Sequence, residues 1–226
     1  MGIVYEAFDA ERRANVALKT LHHLEPTGIY QLKSEFRILA DVSHPNLVRL
    51  HELFADDQTW FFTMDLVDGI QFDSWVARLR RDSPTNSSEH WLAPLRAALA
   101  QLVEAVAVLH RFGKLHRDLK PSNVMLTHES QLIVLDFGLT VAPEAAFGAK
   151  TELQGALSGT PAYMAPEQAL GLPVSAASDW YALGVMLFQA LTGTLPFQGS
   201  FNDIVTASSC GKRLRSRLCA PTRRKI

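Results

Sequence analysis

An α+β fold in two unequal lobes is what the sequence predicts: a small antiparallel sheet with one helix, followed by a larger and mainly helical lobe. Three observations carry this. The opening third alternates β-rich runs with polar turns and holds a single stretch of helical periodicity. The rest is dominated by two long apolar stretches at helical spacing. Between those stretches lie two short strand-like runs, Val124–Leu126 and Leu132–Leu135.

The elements follow in order. Gly2–Phe8 and Asn15–Thr20 flank the polar Asp9–Arg13 and read as a β-hairpin. From Gln31 to Val42, apolar residues at 32, 36, 39 and 42 have helical spacing, and Ser43-His44-Pro45-Asn46 stops the run. Strands over Leu47–Leu53 and Trp60–Leu66 complete the sheet. Phe72–Arg81 is a short helix that ends in the polar loop Asp82–Glu89. Trp91–Phe112 is a long one: Leu92, Leu95, Leu99, Leu102, Val106 and Leu109 form one stripe, which is core packing, and Gly113 ends it. A polar segment occupies Thr140–Ser158, and a second apolar helix, Asp179–Leu191, closes at Thr192-Gly193. No internal repeat interrupts this order.

Bulk properties narrow the class. At 226 residues the chain fits one large domain or two small lobes. A net charge of −1 points to neither nucleic acid nor a membrane surface as partner. No apolar run reaches the length of a membrane span, and no signal peptide precedes the first strand. Cys210 and Cys219 are the only cysteines, both near the end, which fits a reducing, cytoplasmic setting rather than a disulfide framework. The charge is unevenly spread. Asp203 is the last acidic residue, and seven basic residues follow it. Removing them from the 22 leaves 15 basic against 23 acidic residues, a net of −8. The stretch 206–226 therefore reads as a disordered basic tail, with a docking segment for phosphate or acidic partners and a disrupted reading frame as alternatives.

The chemistry concentrates in His116-Arg117-Asp118-Leu119-Lys120-Pro121-Ser122-Asn123 and Asp136-Phe137-Gly138. Three acceptor side chains (Asp118, Asn123, Asp136) and an ammonium (Lys120) fall within nineteen residues. That set suits phosphoryl transfer: a carboxylate to accept a hydroxyl proton, a cation to neutralise the moving phosphoryl group, and two oxygen donors for Mg²⁺. His22, His23, His51, His90, His110 and His128 show no metal-ligand spacing and read as solvated or packed.

These motifs resemble the catalytic and metal-binding loops of the eukaryotic-like (Hanks-type) serine/threonine protein kinases. The likeness extends in family order from Val16-Ala17-Leu18-Lys19 through Glu35 and His44-Pro45-Asn46 to Gly159-Thr160-Pro161-Ala162-Tyr163-Met164-Ala165-Pro166-Glu167 and Asp179-Trp180-Tyr181-Ala182-Leu183-Gly184. The resemblance implies a two-lobed protein-kinase-like fold that uses ATP and Mg²⁺ to phosphorylate protein serine or threonine. It implies Asp118, Lys120 and Asn123 as catalytic residues and Asn123 and Asp136 as metal ligands. Lys19, braced by Glu35, would position the ATP phosphates. Gly2, Val4, Ala17, Met64, Asp65, Leu66, Val67 and Met125 would line the nucleotide site, with Met64 as gatekeeper and Asp65–Asp68 as hinge. Lys120, two residues after the catalytic aspartate, marks serine/threonine specificity. Arg117 implies regulation by a phosphate on Thr140–Ser158, with Thr151 the candidate. Asp179 reads either as a helix-start cap or as the brace of the catalytic loop.

The likeness implies lobes at 1–67 and 68–205, with departures at both ends. Of the glycine-rich loop only Gly2 and Val4 have counterparts, so the first strand and two glycines of the lid over the phosphates are expected to be missing. Past Leu195-Pro196-Phe197 the family continues through further helices, one of which supplies an arginine for Glu167; without it Glu167 is expected to lack its partner. The chain thus reads as truncated at both ends. A catalytically silent kinase-like fragment that binds or scaffolds is the second reading, and a small-molecule phosphotransferase on the same fold the third.

Overall fold

A computed structural model describes residues 3–21, 26–56, 59–82, 89–137 and 161–197. The small lobe is a four-stranded antiparallel sheet, with strands β1 (Val4–Asp9), β2 (Ala14–Leu21), β3 (Leu50–Asp56) and β4 (Thr59–Asp65) in the order β1-β2-β4-β3. The predicted hairpin is present. Asp9 nucleates its turn, its carboxylate accepting the Glu11 and Arg12 N–H groups. Helix α1 (Pro26–Ala40) begins five residues before the expected start, with a proline at its first position. Apolar periodicity starts only at Leu32, so the first turn leaves no hydrophobic trace. Leu32, Phe36 and Leu39 are buried, and the Phe36 ring packs 5.9 Å from that of Phe62 on β4.

The stretch 47–49 departs from expectation. The sequence places the start of β3 at Leu47, but β3 itself begins at Leu50. Leu47 instead forms a parallel bridge with Val134, so the chain leaving α1 pairs with the other lobe.

That second lobe contains an additional three-stranded sheet, β5 (Gly69–Gln71), β6 (Val124–Thr127) and β7 (Leu132–Val134). The three residues of β5 are too few to show alternation, which is why no strand is predicted there. Helix α2 (Phe72–Asp82) follows directly, and α3 (Glu89–Arg111) runs through the core. By length and mean hydropathy (1.6) the stretch His90–Arg111 would pass as a membrane span, against the expectation that no such run exists. In this fold it is the central core helix, with Leu102, Ala105, Val106 and Leu109 fully buried against β7, α2 and the last helix. Gly113 ends it in a left-handed conformation (φ +68°), and the Lys114 N–H returns to the Leu109 carbonyl. A 3₁₀ turn, Pro121–Asn123, leads into β6. A second 3₁₀ turn (Pro161–Tyr163) and a one-turn helix α4 (Pro166–Ala169) precede α5 (Ala176–Thr192), which starts three residues before the predicted Asp179.

The close approach of β5 to β6 requires glycine at position 69: a Cβ there would lie 2.4 Å from the Leu126 carbonyl oxygen. Gly69→Ala is expected to force the two strands apart and to destabilise the fold by about 1–3 kcal/mol, read from urea unfolding.

Candidate active site

The catalytic segment is a loop between α3 and β6, and its backbone is held from below by one carboxylate. Asp179, on the first turns of α5, is 2% exposed. Its Oδ2 accepts the His116 N–H (2.8 Å) and its Oδ1 the Arg117 N–H (2.9 Å). His110 Nε2 lies 2.8 Å from the same Oδ2. The cap of α5 is a different residue: the Ser175 hydroxyl accepts the Ala177 N–H. Of the two roles open to Asp179 from the sequence, the brace is the one it occupies, because the helix starts earlier than its apolar pattern suggests.

The peptide gripped in this way is strained. Arg117 has φ +65°, a region disfavoured for a residue with a Cβ. Its carbonyl accepts from Gln168 Nε2 (2.8 Å), whose Oε1 takes the Ala165 N–H (3.1 Å). Thus the segment Ala165–Gln168 is tied directly to the loop. Neither Gln168 nor His110 stands out in the sequence, since each is a single polar residue on a helix with its partner more than fifty positions away. The Arg117 guanidinium makes no ion pair among the described residues, and Thr140–Ser158, with Thr151, lies outside them.

Above this foundation the predicted residues come together. Asp118 Oδ2 accepts from Lys120 Nζ (2.7 Å) and from Asn123 Nδ2 (3.1 Å), and Asn123 Nδ2 also reaches the Asp118 carbonyl (2.8 Å). With its amide nitrogen so engaged, Asn123 has its amide oxygen left as a metal donor. Asp118 Oδ1 accepts no hydrogen bond among the described residues. Asp136 (φ +55°) follows β7, and its Oδ1 forms an ion pair with Lys19 Nζ at 2.6 Å. Among the described residues the same oxygen is enclosed and receives no aligned hydrogen bond, leaving the ammonium as its compensation there. A buried carboxylate oxygen short of donors and an amide oxygen without a hydrogen bond among the described residues are both of the kind that suits a hard cation such as Mg²⁺, which characteristically takes one or two protein oxygens. Glu35 lies on α1, but its side chain, like Gly2, falls outside the described residues.

The sheet register explains how the small lobe presents the nucleotide-site candidates. Antiparallel partners share a face, and the pairs Val4↔Lys19, Ala17↔Met64 and Lys19↔Phe62 put Val4, Ala17, Lys19 and Met64 on one face. Ala17 and Met64 are buried, whereas Val4 is half exposed. Beyond Met64, Asp65 donates its N–H to the Arg49 carbonyl and its carboxylate meets His51 Nε2 at 2.9 Å. Leu66 and Val67 make no backbone hydrogen bond among the described residues, which leaves their N–H and C=O groups available to a planar ligand. Met125 lies on β6, half-buried and opposite the core face formed by Val124 and Leu126. A hollow of about 320 Å³ borders Asp65 and Val67 and is otherwise lined by His44, Pro45, Arg49 and Gln131 among others. Asp118, Lys120, Asn123 and Asp136 do not line it, so the assignment of the site rests on chemistry rather than on cavity size.

Two further groups bear on the loop. Glu167 accepts the Ser178 hydroxyl (2.5 Å) and makes no ion pair with an arginine among the described residues. His116 is fully buried, and burial lowers its pKa below the ordinary 6.5 even though Asp179 and Asp118 pull the other way. Its Nδ1 accepts the Asp118 N–H (3.3 Å) and its Nε2–H donates to the Leu135 carbonyl (3.0 Å), bonds that suit the neutral ring. It thereby links the residue before Asp136 to the backbone of Asp118.

The protein kinase domain family matches residues 1–222. The serine/threonine-protein kinase PknA of Mycobacterium tuberculosis (strain ATCC 25618 / H37Rv) is 34% identical over 207 residues, 88% of this chain and 46% of that protein. Pkn1 of Myxococcus xanthus, likewise a serine/threonine-protein kinase, is 34% identical over 209 residues, 87% of this chain and 28% of its own length. The chain thus spans less than half the length of these curated relatives. Among solved structures, Rad53 1-466 in complex with AMP-PNP superposes with a TM-score of 0.67 at 25% identity, covering 92% of this chain and 50% of that one.

Removing the brace should be costly. Asp179→Ala leaves the His116 and Arg117 N–H groups buried without an acceptor, at about 1–3 kcal/mol each, measurable by chemical denaturation. His116 sets a pH dependence of known sign. The unfolded chain binds a proton there as pH falls below 6.5, while the folded chain resists it. The contribution is complete above that value and is lost as pH falls further. Unfolding free energies measured from pH 7 to 5.5 should therefore fall less steeply in His116→Gln than in the parent protein.

Proposed function

The chain belongs to the protein kinase family, and on that footing we propose that it transfers the γ-phosphoryl group of ATP to serine and threonine hydroxyls of proteins. The observation that carries this reading is the single hydrogen-bonded cluster of Asp118, Lys120 and Asn123, with the Lys19–Asp136 pair as its counterpart across the lobes.

Each group has a definite task. The free Oδ1 of Asp118 takes the proton of the substrate hydroxyl as that oxygen bonds to the γ-phosphorus and the bond to the β–γ bridging oxygen breaks, releasing ADP. Lys120, already beside Asp118, balances the charge that moves with the phosphoryl group, and its place two residues after the aspartate supports serine/threonine rather than tyrosine acceptors. Asn123 and Asp136 are the residues that would hold Mg²⁺; when bound, the ion neutralises charge on the β- and γ-phosphates. Lys19 serves the α- and β-phosphates, with Glu35 as its brace. The backbone of Asp65–Val67 reads the adenine, which packs among Val4, Ala17, Met64 and Met125, with Gly2 at the lid. On this reading residues 1–67 form the nucleotide-holding lobe, 68–205 the substrate lobe and 206–226 a basic tail. The cysteine pattern supports a reducing, cytoplasmic location.

Incubation with γ-labelled ATP, Mg²⁺ and a generic protein substrate tests the proposal. Label should appear on serine or threonine, and Asp118→Ala should lower the rate by about 10²–10⁴-fold, the range for loss of a positioned base. Absence of transfer, with nucleotide still raising the melting temperature, would identify a silent binding module instead.

A further inference from the structure

Asp136 is delivered to the site by β7, and the start of β7 is tied to its surroundings by one side chain remote from the chemistry. Gln101 lies in the middle of α3. Its Oε1 accepts two hydrogen bonds, from the Leu132 N–H (2.9 Å) and from Asn46 Nδ2 (2.8 Å), while its Nε2 donates to the Ser130 carbonyl (3.2 Å). Asn46 is itself buried and gives its second amide hydrogen to the Leu132 carbonyl (2.8 Å). On the backbone, the Asn46 carbonyl accepts the Val134 N–H and the Val48 N–H returns to the Val134 carbonyl. Gln101 therefore joins the core helix, the start of β7 and the stretch that leads from α1 into the small lobe.

The path from there to the metal candidate is short. Val134 ends β7, Leu135 gives its N–H to the Asn123 carbonyl and its C=O to His116, and Asp136 follows. The other end of the Asp136 ion pair, Lys19, belongs to the sheet that Asn46 leads into. We infer that Gln101 is a positioning residue: by holding β7 and the Asn46 stretch on one acceptor oxygen, it sets where the Asp136 carboxylate stands relative to Lys19, and hence how well the site takes the metal ion that accompanies a nucleotide. The inference rests on the nucleotide-site reading above. It assigns Gln101 no contact with the substrate or the ion.

The acceptor oxygen is the essential feature, and this makes the idea testable. Gln101→Glu keeps an acceptor for both N–H groups and gives up only the bond to Ser130. Gln101→Met keeps the length of the side chain and loses the acceptor. Affinity of the whole chain for a non-hydrolysable ATP analogue is measured by calorimetry with and without Mg²⁺, alongside melting temperatures. The ratio of the two affinities should fall by about tenfold in Gln101→Met, the lower end of the losses seen when outer contacts of a metal ligand are removed, and should stay within about twofold of the parent in Gln101→Glu. Gln101→Asn, which withdraws the amide by one methylene, should behave as Gln101→Met does and serves if that variant does not fold. A lower melting temperature with an unchanged Mg²⁺ ratio would overturn the inference and make Gln101 a packing residue only. Failure of the parent protein to bind the analogue would overturn the nucleotide-site reading, and the inference with it.

Discussion

Everything at the site hangs on the carboxylate of Asp179. A buried charge is tolerated only where it is saturated with donors, and here the donors are the two backbone N–H groups of the peptides that precede Asp118, together with His110. The helix that carries Asp179 is thereby locked to the loop that carries the chemistry. Because the loop at Arg117 adopts a left-handed backbone conformation, it would relax elsewhere if left alone, at a cost to geometry of about 1–3 kcal/mol that the fold must offset. Asp179 and Gln168 offset it from opposite ends of the same residue, one at the N–H and the other at the carbonyl. Ser175 frees Asp179 for this by capping the helix itself.

Arg117 and Asp136, two of the four described non-glycine residues with positive φ, flank the Asp118–Asn123 cluster in sequence. Between their two loops run neutral hydrogen bonds: His116 joins the Asp118 N–H to the Leu135 carbonyl, and the Leu135 N–H returns to the Asn123 carbonyl, while Asn123 reaches the Asp118 carbonyl. A neutral His116 matters here, since a second proton would replace an acceptor for the Asp118 N–H with a competing donor.

Local patterns made much of this readable before any coordinates. The hairpin, the stripe of α3 and its glycine stop depend on neighbouring residues, and all appear where their periodicity places them. Asp118, Lys120 and Asn123, singled out by their spacing, do form one hydrogen-bonded cluster, because all three lie on a single short loop. What stayed hidden has a common cause. Strand β5 is too short to alternate, the first turn of α1 precedes the apolar period and holds a proline and a glycine, and Gln101, Gln168 and His110 draw their roles from partners far away in sequence. A lone glutamine inside an apolar stripe carries no mark of the strand it will hold. The stretch at Leu47 was misplaced for a related reason: its β-rich composition is genuine, but the strand it pairs with belongs to the other lobe.

The Lys19–Asp136 contact also shapes what can enter. In the free protein these two residues neutralise one another at 2.6 Å, so the pocket shows little net field to a passing ion. A lone anion drawn to Lys19 would strand the carboxylate, and a lone cation drawn to Asp136 would strand the ammonium. Only a visitor that brings both signs at once, spaced to meet each partner as they separate, can open the pair without leaving a buried charge behind. On this geometry a ligand carrying both charges would open the pair at less cost than a simple salt or free phosphate would.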